Sequence, residues 1–221
     1  MCYSDLKNHE SWFGQRAPDH ILFGLESLDN WLPALSEGPQ WPDLLLYYAP
    51  TRRLKHLAML SHRSQPLPDI LRLPTQRMIR LGEHLEFTGD PTFLAVDIRY
   101  TWFGYLLSII FKPPEVNLRL EYSDGRDEIY RLIPAIARAG FVASPVVKST
   151  SDFIALALGE KRESEATTVP TAGAIEVSWL GSLAYKNNVL VTFRTIDRTI
   201  LRAARPAGLN MQDIPRAIEV R

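Results

Sequence analysis

The spacing of apolar residues divides the chain into two regions with different periods. Before residue 75, apolar side chains recur at steps of three and four, as they do along one face of a helix. From about Ile79 they alternate with polar residues, as they do along a half-buried strand. The pattern predicts an N-terminal helical and loop appendage over residues 1–75, a β domain over residues 76–200 and a tail over residues 201–221.

Two helices are predicted in the N-terminal region. Asp19 can cap the first, and Pro33 ends or kinks it. The second runs over residues 52 to about 62, and the Pro-rich segment at residues 65–68 then breaks the pattern. The apolar positions of the first helix are Ile21, Leu25, Leu28, Trp31, Leu32 and Leu35.

Short strands with turn signals between them are predicted for the β domain. Residues 104–111 are apolar except for Ser108, which is typical of a strand buried on both faces. Because no long helix separates the strands, the pattern favours an antiparallel β-sandwich, jelly-roll-like, over a doubly wound fold. The positions predicted to alternate inward are Leu81, Leu85 and Phe87; Leu94, Val96 and Ile98; Ile175, Val177 and Trp179; and Val189, Val191 and Phe193.

A β-hairpin is predicted over residues 115–133, where two alternating segments flank a turn. A two-residue loop would place Leu118 opposite Arg131, whereas a three-residue loop at residues 123–125 places Leu118 opposite Tyr130. Cross-strand partners share a face of the sheet, so the three-residue loop is preferred. It also puts a glycine at the third loop position, where a left-handed φ is required.

Charge and cysteine content exclude several classes of function. Lys and Arg total 25, as do Asp and Glu, so the net charge is zero and the basic footprint of a nucleic-acid-binding protein is missing. The single cysteine, Cys2, excludes an internal disulfide and a cysteine-based zinc site. The uncharged run at residues 100–111 is too short to span a bilayer, and the N-terminus has no apolar leader. We therefore expect a soluble chain, or an extracytoplasmic one if it is part of a membrane protein.

Motifs for catalysis, cofactors and metals give no support for an enzyme. His56 and His62 are six residues apart, whereas two zinc ligands on one helix are three or four apart. Neither a nucleophile elbow nor a phosphate-binding glycine loop occurs in the sequence. We therefore expect no catalytic residues, no metal and no cofactor. The alternative of a glycosidase-like enzyme depends on acids among Asp97, Glu121 and Glu128.

A cluster of aromatic residues beside two charged ones is the strongest candidate for a binding site. Aromatic faces stack on the apolar faces of sugar rings, while neighbouring charged groups bond to the hydroxyls. The alternative is that Trp102 and Phe103 belong to the sandwich core, since aromatic residues favour strands in any case. The predicted ligand-binding residues are Asp97, Arg99, Tyr100, Trp102 and Tyr105.

Short motifs over residues 80–158 follow a characteristic order. They are Phe111-Lys112-Pro113-Pro114, Asp124-Gly125, Tyr130-Arg131, Gly140-Phe141 and Ser144-Pro145. Their order resembles a soluble β-sandwich domain of bacterial multi-pass envelope proteins, some of them glycosyltransferase-like, over about a third of the chain. The resemblance implies association with the cell envelope and contact with glycans, although this chain lacks the membrane spans of those proteins.

These observations lead to one preferred function and two alternatives. We expect a non-enzymatic recognition or accessory module of the cell envelope whose partner is a glycan or an envelope membrane protein. The first alternative is a structural or protein-interaction domain in which the Leu-rich N-terminal helices dock a partner. The second is the glycosidase-like enzyme.

Overall fold

Three antiparallel sheets and several short helices form the part of the chain that the structure describes. The structure is a computed structural model, and it describes residues 13–14, 17–25, 32–36, 38–54, 56–160 and 169–206. The predicted mostly β fold is therefore confirmed at this level. Outside the described residues lie Cys2, Leu28, Trp31 and residues 207–221 of the predicted tail.

The elements are numbered in chain order. The strands are β1 His20–Gly24, β2 Tyr48–Leu54, β3 Leu57–His62, β4 Thr75–Arg80, β5 His84–Glu86, β6 Thr92–Asp97, β7 Val116–Glu121, β8 Asp127–Leu132, β9 Phe141–Ser144, β10 Ala172–Val177 and β11 Asn188–Thr195. The helices are α1 Pro33–Ser36, α2 Trp41–Tyr47, α3 Trp102–Ile110, α4 Pro134–Ala139, α5 Thr150–Ala157, α6 Trp179–Ala184 and α7 Arg198–Ala203, with a 3-10 turn at Gly38–Gln40.

The N-terminal region contains a three-stranded sheet where two helices are predicted. Its strand order is β1-β3-β2, and Phe23 of β1 lies opposite Ala58 of β3. The predicted helices after Asp19 and over residues 52–62 are therefore wrong. Segments this short fit a period of two and a period of 3.6 about equally, so pairing between strands decides the outcome. Pro33 begins α1 rather than ending a helix.

The N-terminal sheet packs on α5 and shares its core with the rest of the described chain. The Phe23 ring lies 4.2 Å from that of Phe153 in α5, centroid to centroid. The Thr150 hydroxyl, at the start of α5, donates to the His56 carbonyl oxygen at 2.6 Å and accepts from the Leu25 N–H at 3.0 Å. The N-terminal region is therefore tied to the β domain by packing and by hydrogen bonds.

Two four-stranded antiparallel sheets account for the remaining strands. Their strand orders are β5-β10-β7-β8 and β4-β11-β6-β9. The chain crosses between them through helices: α3 connects β6 to β7, and α6 connects β10 to β11. Because β6 pairs with β11 and β7 with β10, both crossovers start and finish on neighbouring strands. This topology brings α3 and α6 together.

The predicted alternation of buried and exposed side chains is confirmed for β6 and β11. The single strand predicted through Leu81, Leu85 and Phe87 is wrong. Leu94 and Val96 of β6 and Val189 of β11 are buried, as their period of two requires. The strand predicted through Leu81 and Phe87 is instead split at Gly82, whose φ of 80° turns the chain. β4 therefore joins β11, while β5 joins β10 in the other sheet.

The predicted hairpin is confirmed, including its loop. β7 and β8 pair with Leu118 opposite Tyr130. The Tyr122 N–H donates to the Arg126 carbonyl oxygen at 3.0 Å, which leaves three residues in the loop. Gly125 adopts a φ of 82° at the third loop position, where a side chain would be strained.

Replacing Gly125 should destabilise the fold through its backbone conformation alone. An added β-carbon would meet no atom within 4 Å, so a clash does not contribute. We expect Gly125→Ala to lower the free energy of unfolding by about 1–2 kcal/mol, and Gly125→Asn to lower it less because Asn tolerates a left-handed φ. Urea unfolding measures both values, and equal losses would contradict the explanation.

Candidate functional site

The segment predicted as a doubly buried strand is the helix α3, and that prediction is wrong. Thr101 caps the helix, because its hydroxyl oxygen accepts a hydrogen bond from the Gly104 N–H at 3.0 Å. A continuous apolar run does not by itself distinguish a buried strand from a helix. Here the helix keeps only Gly104 fully buried.

Most of the apolar side chains of α3 and α6 are exposed. Trp102 is 77% exposed and Trp179 is 78% exposed, whereas Trp41 in the core is 1% exposed. Exposed apolar residues are ordinary one at a time, but a contiguous group of large ones marks a binding surface. We call this group the helix-pair surface; its residues are Trp102, Phe103, Tyr105, Leu106, Ile109, Ile110, Phe111, Trp179 and Leu183.

The two helices meet where the start of α3 contacts the end of α6. The Thr101 N–H donates to the Ala184 carbonyl oxygen at 2.9 Å, and the Thr101 hydroxyl donates to the Leu183 carbonyl oxygen at 2.7 Å. A β-carbon added to Gly104 would lie 1.9 Å from the Ala184 oxygen. The junction therefore requires a residue without a side chain, and it holds the start of α3 against the end of α6.

The two helices begin with similar sequences. Thr101-Trp102-Phe103-Gly104 opens α3, and Ser178-Trp179-Leu180-Gly181 opens α6. In both, the hydroxyl residue caps the helix by accepting from the glycine N–H three positions on, at 3.0 Å and 3.2 Å. The prediction that Trp179 continues a strand is therefore wrong. This repeated cap, tryptophan and glycine was the signal in the sequence that could have identified the second helix.

The two charged residues of the predicted site bond to each other. The Arg99 Nε and Nη2 atoms donate to Asp97 Oδ2 at 2.8 Å and 2.6 Å, and this hydrogen bonding raises the pKa of the Arg99 guanidinium. Arg138 from α4 approaches the other Asp97 oxygen at 3.6 Å. The carboxylate is therefore shared between two cations at the end of β6.

The aromatic residues of the predicted site separate into two environments. The Tyr100 ring stacks on that of Tyr185, with 5.0 Å between centroids, and it supports the helix junction. Burial raises the pKa of Tyr185, whose hydroxyl donates to a backbone carbonyl oxygen. Trp102 and Tyr105 point outward on α3, so the structure brings these two onto the helix-pair surface.

Glu121 and Glu128, two of the three acids considered for the glycosidase alternative, do not share a face of their sheet. Glu121 lies opposite the exposed Asp127, and Glu128 lies opposite the buried Leu120. Cross-strand partners share a face, so Glu121 and Glu128 occupy opposite faces of the sheet. Two acids that act on one glycosidic bond must flank it, and this pair is not placed to do so.

Glu128 is the centre of a hydrogen-bonded cluster. Its carboxylate accepts from the hydroxyls of Tyr122 at 2.6 Å and Tyr130 at 2.7 Å, and from the Lys148 ammonium. Burial acts to raise the pKa of Glu128, but the bonds from Lys148 and the two tyrosines outweigh it, so the pKa is lowered. Burial and the bond to Glu128 raise the pKa values of both tyrosines. The cluster anchors the hairpin to the segment before α5.

Within the described ranges, no group of three or more His, Cys, Asp or Glu side chains is arranged to hold a metal ion. None of the helices in the described part of the chain has the length and apolar character needed to cross a bilayer.

No protein-family model matches the chain, and no curated protein is similar to it. The site is therefore interpreted from its own geometry.

The helix junction predicts that a single methyl group at residue 104 will be costly. Gly104→Ala places a carbon inside the contact distance of the Ala184 oxygen, so we expect the free energy of unfolding to fall by about 1–3 kcal/mol. Urea unfolding measures this change. Ser182→Ala, at an exposed position of α6, is the control and should change it by less than about 0.5 kcal/mol. A Gly104→Ala protein as stable as the control would contradict the close approach.

The lowered pKa of Glu128 predicts a dependence of stability on pH. A carboxylate with a depressed pKa in the folded state contributes stability above its unfolded pKa of about 4.3, and this is lost as the pH falls through the folded value. Glu128→Gln should lower the free energy of unfolding at pH 7 by about 1–3 kcal/mol. It should also flatten the decline of that energy below about pH 5.

Unfolding measured between pH 7 and pH 3 separates these effects. Asp127→Asn, at the exposed neighbouring position, is the matched control and should keep the slope of the unmodified protein. If Glu128→Gln retains the full acid-induced loss of stability, the cluster is not its source.

Proposed function

We propose that this chain is a non-enzymatic recognition module that binds its partner through the helix-pair surface. The observation that carries the proposal is the exposure of Trp102 and Trp179, the first residues of two helices packed directly together. Tryptophan and tyrosine are the residues most enriched where binding energy is concentrated. Trp41 is almost completely buried, whereas Trp102 and Trp179, the other tryptophans that the structure describes, lie outside the core.

The proposal retains the predicted recognition role but changes the elements that carry it. The interaction alternative assigned partner docking to N-terminal helices. In those segments Phe23 of β1 and Leu60 of β3 are buried in the core, whereas Leu22, Leu54 and Leu57 are exposed. The helix-pair surface is a larger group, with nine exposed large apolar residues on and beside two contacting helices.

A glycan partner is the second candidate, and one observation favours it. Trp102 and Tyr105 are both exposed on α3, and exposed aromatic rings stack on sugar rings. The Asp97–Arg99 pair, which lies just before α3 in the chain, has the hydrogen-bonding character of a sugar-binding rim. The envelope association implied by the resemblance over residues 80–158 belongs to the same proposal.

We also propose that the two four-stranded sheets face each other as a jelly-roll-like sandwich. Buried residues of both sheets, such as Leu94 of β6 and Leu118 of β7, belong to one apolar cluster, which supports this arrangement. The crossovers α3 and α6 would then close one end of the sandwich, and the binding surface would occupy that end.

The double variant Trp102→Ser/Trp179→Ser tests whether the surface is free to bind. Both side chains are exposed, so we expect the free energy of unfolding to change by less than about 1 kcal/mol in urea, while the fluorescence of an added apolar dye such as bis-ANS falls. Leu73→Ser, at a site 89% exposed outside the helix pair, is the control and should leave the dye signal unchanged.

Two outcomes would count against parts of the proposal. A loss of about 3–5 kcal/mol for each tryptophan, as for a core residue, would mean that the surface is covered in the folded chain, and recognition through it would be ruled out. On a glycan array, binding that is absent or is unchanged by Trp102→Ala and Tyr105→Ala would remove the carbohydrate candidate.

A further inference from the structure

We propose that the helix-pair surface docks on an anionic lipid bilayer, with α3 and α6 lying in the interfacial layer and not crossing it. This inference rests on the proposed function, because it names the partner of the same surface. A surface that docks on such a bilayer should be apolar, should contain Trp or Tyr, and should have positive charge at its edge. The helix-pair surface has all three properties.

The apolar character of the surface matches a lipid interface. No charged residue occurs between Arg99 and Lys112, or between Glu176 and Lys186. Trp and Tyr are the residues that concentrate at the level of lipid headgroups, and the surface contains two Trp residues and Tyr105. The nine residues of α3 extend about 13 Å, less than half the thickness of a hydrocarbon core, which suits a helix lying in the interface.

The charges at the ends of the two helices match an anionic surface. Arg99 precedes α3, Lys112 follows it, and Lys186 follows α6. The Lys186 N–H donates to the Arg99 carbonyl oxygen at 2.8 Å, so these two cationic residues are neighbours. The chain as a whole has no net charge, so this concentration of positive charge is local. Anionic lipids attract Lys and Arg side chains near the bilayer.

The carboxylates near the helix ends are occupied by arginines. Asp97 bonds to Arg99 and faces Arg138. Glu176, just before α6, pairs with Arg119 at 3.0 Å. Among the described residues, no carboxylate lies within salt-bridge distance of Lys112 or Lys186. These two ammonium groups are therefore available to lipid phosphates and carboxylates.

The same charges disfavour a second copy of the chain as the partner. A symmetric dimer through this surface would place one patch against its own copy. Lys112 and Lys186 would then meet residues of the same cationic patch, in which the nearby carboxylate of Asp97 is already bonded to Arg99. Like charges brought together cost free energy, whereas an anionic bilayer compensates them.

Flotation of the full chain with lipid vesicles tests the proposal. The vesicles are phosphatidylcholine with about one third phosphatidylserine, and vesicles of phosphatidylcholine alone are the comparison. We expect the chain to float with the anionic vesicles, to bind pure phosphatidylcholine at least about tenfold more weakly, and to be released as salt is raised. Trp102→Ser/Trp179→Ser should weaken binding to the anionic vesicles by about tenfold or more.

Matched variants separate the apolar and charged contributions. Lys112→Glu should weaken binding several-fold, whereas Arg52→Glu, the same change of charge at an exposed position of β2, should have little effect. Leu73→Ser controls for the loss of an exposed apolar residue. Leu73 lies just before β4, which begins opposite Phe193 near the end of β11, whereas α6 leads into the start of β11.

The other possible results distinguish failure of the bilayer proposal from failure of the proposed recognition function. No flotation, flotation unaffected by the double tryptophan variant, or equal binding to both vesicle types would overturn the bilayer proposal. If the same variant instead abolishes a dimer seen by light scattering, or binding on a glycan array, the surface recognises a different partner. Recognition then stands and the lipid assignment fails. A core-like loss of stability in that variant would overturn both proposals.

Discussion

The close approach of Gly104 to the Ala184 carbonyl oxygen is the contact on which the proposed site depends. At that distance the start of α3 lies directly against the end of α6, and Thr101 hydrogen-bonds the last carbonyls of α6. Two helices that would otherwise be separate crossovers become one unit. This contact brings the exposed Trp102 at the start of α3 close to the exposed Leu183 at the end of α6.

This contact is possible because of the pairing of the sheets. β6 lies beside β11 and β7 beside β10, so the helices that connect these strands must leave and return at neighbouring places. The core has already been filled from other elements, including Trp41 and Phe153. The crossovers contribute little to that core, and their large side chains remain in solvent. Apolar residues held outside a completed core are available for a partner.

Two groups of charged residues in the β domain have different roles. Around Glu128, a lysine and two tyrosines satisfy one carboxylate, and the result is a structural anchor. Around the helix pair, Asp97 is neutralised by arginines while Lys112 and Lys186 extend from the helix ends. The first arrangement stabilises the folded chain. The second leaves positive charge beside an apolar surface. The inference of a bilayer partner rests on this combination.

The sequence by itself determined the mostly β class, the alternation of β6 and β11, and the hairpin with its loop glycine. These depend on local patterns, since a period of two and a turn that needs a positive φ act over a few residues. It also singled out Trp102 and Tyr105 as candidates. Only the tertiary structure decided that residues 102–110 form an exposed helix and that β1 to β3 are strands. Apolar runs and short amphipathic segments fit either conformation, and contacts with distant residues, such as Ala184 for Gly104, select between them.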